Sequence, residues 1–174
     1  MAFISISITK NHPLILGKGG FGRQLADWLS AEGWGEAEFL DDSAPGCVGG
    51  LRDYADPKLL KPGRPAFVAL GDNALRVELL QKLAAAGYDT PVFISDMAAV
   101  SPSAVLEPGC VILPQAYVGA DAHLGVGCII NGGAIVEHEA VLGRGVHVAP
   151  GGIVKAGAEV EALTKVDSGE IIKK

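Results

Sequence analysis

Aliphatic side chains recur at every sixth position through the second half of the chain. From Val100 to Val154, all ten positions of this series hold Val, Leu or Ile, and four places after each a second series holds almost only small residues. An α-helix would repeat about every 3.6 residues and a simple strand about every 2, whereas a period of six fits a chain that turns a corner after each short strand. The pattern predicts a left-handed parallel β-helix with three strands per coil.

Glycines follow the aliphatic series at a distance of three residues. They are Gly109, Gly127, Gly133, Gly145, Gly151 and Gly157. A tight corner at this phase calls for positive φ, which glycine adopts freely and which Asp121, at the same phase, tolerates. Cys110 and Cys128 are separated by one full coil, so we expect them to stack in the interior without a metal or redox role.

The repeat weakens after about Glu159, because Leu163 falls where a turn residue is expected. We therefore expect the regular β-helix to end there. A stack of so few coils exposes flat faces and open ends, and assembly into a homotrimer would cover them.

Residues 1–95 follow a different pattern, in which apolar runs alternate with helix-like stretches. The runs are PLILG, AEFLDD, PAFVALG and TPVFIS. Such alternation predicts a small Rossmann-like α/β domain with a parallel sheet of about four strands. The predicted organisation is an α/β domain over residues 1–95 followed by an all-β, β-helix domain over residues 96–174.

A glycine-rich motif, GKGGFG at residues 17–22, follows the first predicted strand, and Asp41 and Asp42 end the second. Such glycines allow close backbone approach, a helix N-terminus attracts phosphate, and carboxylates accept hydroxyl hydrogen bonds, although a tight turn without a ligand looks the same. About 95 residues supply only one mononucleotide-binding half, which favours a nucleotide sugar over NAD. The turn at Gly71, with Arg76, forms either the opposite wall of that cleft or an ordinary helix cap.

Charge and hydropathy exclude several functions. The formal net charge of −6 argues against binding to phosphate backbones. The chain has no basic leader and no apolar run long enough to span a membrane, so we expect a soluble cytoplasmic protein.

His138 stands between Glu137 and Glu139 at a predicted outward corner of the β-helix. An imidazole held by a carboxylate is suited to general-base catalysis, although exposed histidines are common without any role. His147, nine residues later, is predicted to face the same groove from a neighbouring subunit. Together with His123 these histidines do not share one phase of the repeat, so we predict no metal site.

The order of these parts resembles the PglD/NeuD-type sugar acetyltransferases. The resemblance covers about residues 13–155 and rests on GKGGFG, FLDD, LGDNALR, SPSAVL and VEHEAVLGRGVHVAPG, with the run from Asn131 to His147 as its most specific part. It implies transfer of an acetyl group from acetyl-CoA to an amine or hydroxyl of a nucleotide-activated sugar, UDP-linked, at sites between the subunits of a homotrimer.

The resemblance also assigns roles. His138 is implied as the general base, oriented by Glu139, and His147 as a contact of the acetyl-CoA thioester, with Ala156 lining the cofactor groove. The residues implied to bind the nucleotide sugar are Gly20, Phe21, Gly22, Asp41, Asp42, Gly71 and Asn131.

This chain departs from that family in two ways. Phe21 stands where a histidine is usual, and the sequence ends in EALTKVDSGEIIKK where family members continue for further coils that line acetyl-CoA. These departures leave a second hypothesis, a non-catalytic nucleotide-sugar-binding or assembly protein. A NAD-dependent oxidoreductase is a third, resting on the glycine motif alone.

Overall fold

The computed structural model describes residues 12–174, so residues 1–11 of the predicted first domain lie outside the description. Across the described part, no helix has the length and apolar character needed to cross a bilayer.

The N-terminal part is a small α/β unit with a three-stranded parallel sheet in the order β2-β1-β3. Its elements are β1 (Leu14–Leu16), α1 (Gly20–Ala31), β2 (Glu38–Leu40), a single 3-10 turn (Asp53–Ala55), β3 (Ala66–Val68) and α2 (Asn73–Ala85). The apolar strands β1 and β3 are almost fully buried, as expected for parallel strands covered on both faces.

The fourth strand predicted for this sheet is wrong. The TPVFIS run forms β4 (Phe93–Ile94), which pairs with the strand at Val111–Ile112 and not with β3. A short apolar run does not reveal its pairing partner, because an α/β sheet and a solenoid coil both bury such a run.

The remainder is a parallel β-solenoid, which confirms the predicted β-helix. Its strands are β4 (Phe93–Ile94), β5 (Ala99–Val100), β6 (Val105–Leu106), β7 (Val111–Ile112), β8 (Tyr117–Val118), β9 (His123–Leu124), β10 (Ile129–Ile130), β11 (Ile135–Val136), β12 (Val141–Leu142), β13 (His147–Val148), β14 (Ile153–Val154), β15 (Glu159–Val160), β16 (Lys165–Val166) and β17 (Ile171–Ile172). Within residues 12–174 these form three sheets, which we name by their first strands: the β4 sheet and the β5 sheet of five strands each, and the β6 sheet of four.

The aliphatic series fills the interior of the coils, together with the small series. Cys110 and Cys128 are both completely buried there, as the repeat predicts. The six glycines of the turn series all have positive φ, and so do four residues at the same phase that are not glycine. These four are Gln115, Asp121, Glu139 and Leu163.

The prediction that the repeat ends near Glu159 is wrong, because β15, β16 and β17 continue the three sheets to Ile172. Leu163 adopts φ 64° and so makes the turn that glycine makes in earlier coils. The side-chain amide of Asn73 donates to the Leu163 carbonyl at 2.8 Å, which holds this turn against the N-terminal part.

The two parts of the molecule share a packed junction. The outward side chains Phe93, Val111 and Ile129 of the β4 sheet join one buried cluster with residues of β1, α1 and β3. Helix α2 lies on the corners that lead into this sheet, where a Cβ added at Gly127 would stand 2.6 Å from a methyl group of Leu80. Glycine is therefore needed at this corner for the helix to approach.

Candidate active site

His138 lies on the corner between β11 and β12, where the β5 sheet meets the β6 sheet, and its side chain is 60% exposed. Its Nδ1 lies 2.9 Å from Oε2 of Glu139. Because an ionised carboxylate only accepts hydrogen bonds, Nδ1 carries the proton and Nε2 is left to accept another. An imidazole in this arrangement is chemically able to accept a proton at Nε2.

Glu139 holds this position with a left-handed backbone, at φ 58°. Glycine occupies the same phase at several other corners, and a residue with a side chain is disfavoured in this conformation by about 1–2 kcal/mol. Gln115, Asp121 and Leu163 adopt the same conformation, so what distinguishes Glu139 is the contact of its carboxylate with His138.

Gly119 supports the His138 corner from the preceding coil and is not among the site residues predicted from the sequence. A Cβ on Gly119 would lie 2.5 Å from the backbone nitrogen of His138. The recurrence of glycine directly after the aliphatic position, at Gly119, Gly125 and Gly143, was the available signal.

The coil that follows carries Ala156 below the same corner. Glu137 accepts hydrogen bonds from the backbone N–H of Ala156 and from Nζ of Lys155, each at 2.9 Å. Lys155 and the Ala156 amide lower the pKa of Glu137, so its carboxylate is ionised and stays bound to this turn.

His147 lies on a different surface, in the β4 sheet, where it continues the column of Val111 and Ile129. The amide nitrogen of Asn131 lies 3.4 Å from its Nε2, while Nδ1 is buried without a hydrogen-bond partner among residues 12–174. Burial, followed by the charges of Arg76 and Lys165, lowers the pKa of His147 to about 4. This imidazole is neutral at pH 7.

The two histidines do not share a groove within one protomer. His138 projects from the corner opposite the β4 sheet, and His147 belongs to the β4 sheet itself. The structure brings His147 together with Asn131, and His138 with Glu139.

The glycine motif forms the predicted turn into α1. A Cβ on Gly22 would lie 1.9 Å from the carbonyl oxygen of Gly17, so only glycine permits this turn. Gly20 and Phe21 begin the helix, whose first-turn N–H groups have no partner within the helix and attract anions. The Phe21 ring is partly buried against the cluster that contains Ile15 and Leu25.

Asp41 and Asp42 differ in how many backbone N–H groups donate hydrogen bonds to their carboxylates. The backbone N–H groups of Lys18, Ser43 and Ala44 donate to the carboxylate of Asp41 and lower its pKa to about 2. Asp41 therefore holds the glycine loop in place.

Asp42 instead accepts a single backbone hydrogen bond, from the Leu51 N–H at 2.9 Å, and lines a cavity of about 230 Å³ beside α2 that Arg52, Tyr54 and Lys82 also line. These three residues were missed from the sequence because they are isolated in it and meet only through the packing of α2 against the loop after β2.

Arg76 does not line this cleft, contrary to one of the two sequence interpretations. It is only 1% exposed and lies between α2 and the solenoid. Asp72 is the N-cap of α2, accepting from the Leu75 amide at 2.9 Å, so the helix-cap interpretation is confirmed. Gly71 stands exposed directly before that cap.

Within the described residues, no three His, Cys, Asp or Glu side chains are grouped so that they could hold a metal ion. A cavity of about 700 Å³ is the open mouth of the first solenoid coil, lined by residues such as Val92 and Leu106 and remote in sequence from every candidate site residue.

Comparison with known proteins agrees with this architecture. Residues 14–83 match the family model described as the PglD N-terminal domain. The acetyltransferase domain of PglB from Neisseria gonorrhoeae is 32% identical, with a TM-score of 0.77 over 93% of this chain and 87% of that chain.

A second structure of the PglB domain, in complex with acetyl coenzyme A, matches with a TM-score of 0.76. A histidine-to-alanine variant of GDP-perosamine N-acetyl transferase from Caulobacter crescentus, in complex with CoA and GDP-perosamine, is 26% identical. Its TM-score is 0.77, and the match covers 94% of this chain and 89% of that chain.

Proposed function

The chain belongs to the PglD-type family of acetyl-CoA-dependent sugar acetyltransferases, and we propose that it transfers acetyl from acetyl-CoA to an amine or hydroxyl of a nucleotide-linked sugar, with His138 as general base. The observation that carries the assignment is the His138–Glu139 pair, exposed at a corner and held in one tautomer. The chain matches 87% of the PglB acetyltransferase domain, which supports an enzyme over a non-catalytic binding protein.

In the proposed step, Nε2 of His138 removes the proton of the acceptor amine or hydroxyl as that group attacks the thioester carbonyl carbon. The carbon–sulfur bond then breaks, and the imidazolium returns the proton to the departing thiolate. Such base catalysis contributes about 10² to 10⁴ in rate, and holding both substrates together contributes a larger proximity effect. Glu139 stabilises the imidazolium formed in between.

The acetyl-CoA groove is proposed to lie between protomers of a homotrimer. Exposed apolar side chains flank the His138 corner on both sides, with Tyr117 and Ile171 on the β5 sheet and Val105 and Val141 on the β6 sheet. A protomer that packs there would bring its own His147 toward this corner. Neutral His147 and the Ala156 turn are then proposed to contact acetyl-CoA.

The nucleotide sugar is proposed to bind the N-terminal part. Gly20, Phe21 and Gly22 present the N-terminus of α1 to a diphosphate, while Asp42 and the adjacent cavity accept the nucleoside. Asn131 and Gly71 are proposed to contact the sugar. We propose a UDP-linked sugar, used in the cytoplasm where such sugars and acetyl-CoA are made.

The test is release of free thiol from acetyl-CoA in the presence of UDP- and GDP-linked amino and neutral sugars. We expect release that depends on the acceptor, and a fall of at least about 100-fold in His138→Ala. His123→Ala is the matched control, because His123 is also a half-exposed solenoid histidine paired with a carboxylate, Glu107 at 3.0 Å.

Wild-type protein that releases no thiol with any acceptor would refute the function. Equal losses in His138→Ala and His123→Ala would refute the base. Sedimentation that finds a stable monomer at assay concentration would refute the intersubunit groove.

A further inference from the structure

Arg76 is a buried cation, and each of its three guanidinium nitrogens donates one hydrogen bond to a backbone carbonyl. Its Nε donates to Gly127 at 2.9 Å, its Nη1 to Leu70 at 2.9 Å and its Nη2 to Gly145 at 2.7 Å. A buried guanidinium is costly unless its donors are satisfied, so this arrangement is specific.

The three carbonyls belong to two parts of the molecule, and the proposed function assigns a different substrate to each part. Leu70 precedes Gly71 in the loop after β3, on the nucleotide side. Gly127 and Gly145 are turns in successive solenoid coils, and Gly145 stands two residues before His147. One planar group thus joins the nucleotide-side loop to the strand that carries His147.

We propose that Arg76 is a positioning residue that fixes the nucleotide-side loop and the His147 strand in a single geometry for acetyl transfer. The proposal rests on the proposed function, in which that loop serves the nucleotide sugar and His147 serves acetyl-CoA. Arg76 itself touches neither substrate, since only 1% of its surface is exposed.

The charge of Arg76 acts on the same histidine. Together with burial it keeps the pKa of His147 low, so that the imidazole stays neutral. Lysine would keep the charge, but a single ammonium cannot reproduce the fork of donors that reaches three carbonyls.

Attachment of α2 to the solenoid does not depend on Arg76 alone. Val77 and Leu80 pack against the glycine turns, and the Asn73 amide binds the Leu163 carbonyl. We therefore expect Arg76→Lys to fold, with a looser connection between the loop and His147.

The experiment compares Arg76→Lys and Arg76→Met with Arg64→Lys. Arg64 is also buried, with its Nε donating to the His12 carbonyl at 2.9 Å and a guanidinium nitrogen paired with Glu38, but its bonds stay within the N-terminal part. The measurements are thermal midpoint, kcat, KM for both substrates, and the NMR titration of the His147 ring.

We expect Arg76→Lys to lower kcat by about 10- to 100-fold with small changes in either KM, because misplacement of bound groups slows the reaction without removing contacts. Arg76→Met raises the pKa of His147 from about 4 toward its ordinary value. Arg64→Lys loses stability but leaves both kcat and the His147 titration unchanged.

The proposal would be overturned if Arg76→Lys left kcat and the His147 spectrum unchanged, as we expect for Arg64→Lys. It would also be overturned if the Arg76→Lys protein did not fold. The titration needs no turnover. A wild-type protein without acetyl transfer would therefore refute the proposed function while the positioning of His147 by Arg76 was still measured.

Discussion

The His138 corner and the His147 face give two histidines of one solenoid opposite environments. His138 is exposed and keeps its orientation through a carboxylate and a left-handed turn, whereas His147 is half-buried and is kept neutral by its surroundings. The difference teaches that a repeat scaffold can orient an exposed imidazole by local sequence alone, since His138 and Glu139 are neighbours. The low pKa of His147 comes first from burial and then from nearby charges, one of which, Arg76, belongs to the distant helix α2.

Among variants that leave both histidines in place, the largest effect on this comparison should come from Gly119→Ala, which disturbs the His138 corner alone. The new methyl group meets the His138 backbone nitrogen, so we expect a loss of about 1–3 kcal/mol in unfolding free energy and a fall of about 10- to 100-fold in kcat. Chemical denaturation and steady-state kinetics measure the two quantities.

Gly143→Ala is the control for this variant, because its Cβ would meet the backbone nitrogen of Ala162 at the same 2.5 Å, at a corner without a histidine. We expect a similar stability loss and a smaller fall in kcat than in Gly119→Ala, because Gly143 does not contact the His138 corner. An equal fall in kcat for both variants would show that coil distortion, and not the position of His138, limits the rate.

An intermediate effect should appear in the pH dependence of the unfolding free energy, and it comes from His147. The folded state holds the pKa of His147 at about 4, below the ordinary 6.5, so the unfolded chain binds the extra proton first. Stability from this group is complete above about pH 6.5 and is lost as the pH falls toward 4, with a slope of at most about 1.4 kcal/mol per unit.

Denaturation midpoints of wild type and His147→Gln between pH 7 and 4 measure this contribution. The glutamine variant should lose less stability on acidification, because its side chain does not titrate. Parallel profiles would mean that His147 is not kept neutral by burial.

The smallest effect should be that of Glu139→Gly on stability. Glycine removes the cost of the left-handed turn but adds freedom to the unfolded chain, so we expect unfolding free energy to change by less than about 1 kcal/mol. We expect activity to fall because His138 loses its carboxylate. Activity equal to wild type would show that the Glu139 carboxylate is not needed to orient His138.

The solenoid could be predicted from the sequence because its rule is local. Each coil repeats one aliphatic position, one small position and one turn, and the series from Val100 to Val154 shows all three. The rule fails at Leu163, where the turn is stabilised by the Asn73 amide from a segment 90 residues earlier. No periodicity in the sequence contains that contact.

The N-terminal part was less predictable for the same reason. The sequence predicts its strands and glycine turn, but it places the TPVFIS strand in the wrong sheet and leaves the surroundings of Arg76 open between two interpretations. Both lie at the junction between the two parts, where packing between distant segments decides the partner. The cavity beside Asp42 also arises only when Arg52, Tyr54 and α2 meet.

The left-handed turns that accept side chains provide equivalent positions at a constant spacing along the solenoid axis. Ala120-Asp121 and Ala156-Gly157 occupy the place of His138-Glu139 one coil above and one coil below, with Asp121 already at φ 57°. Moving the His-Glu pair to either site would displace the base along the axis by one strand spacing, about 4.8 Å, without redesign of the backbone. The same His-Glu pair can thus be placed at equivalent turns of different coils, to suit acceptor groups that lie at different heights along the solenoid axis.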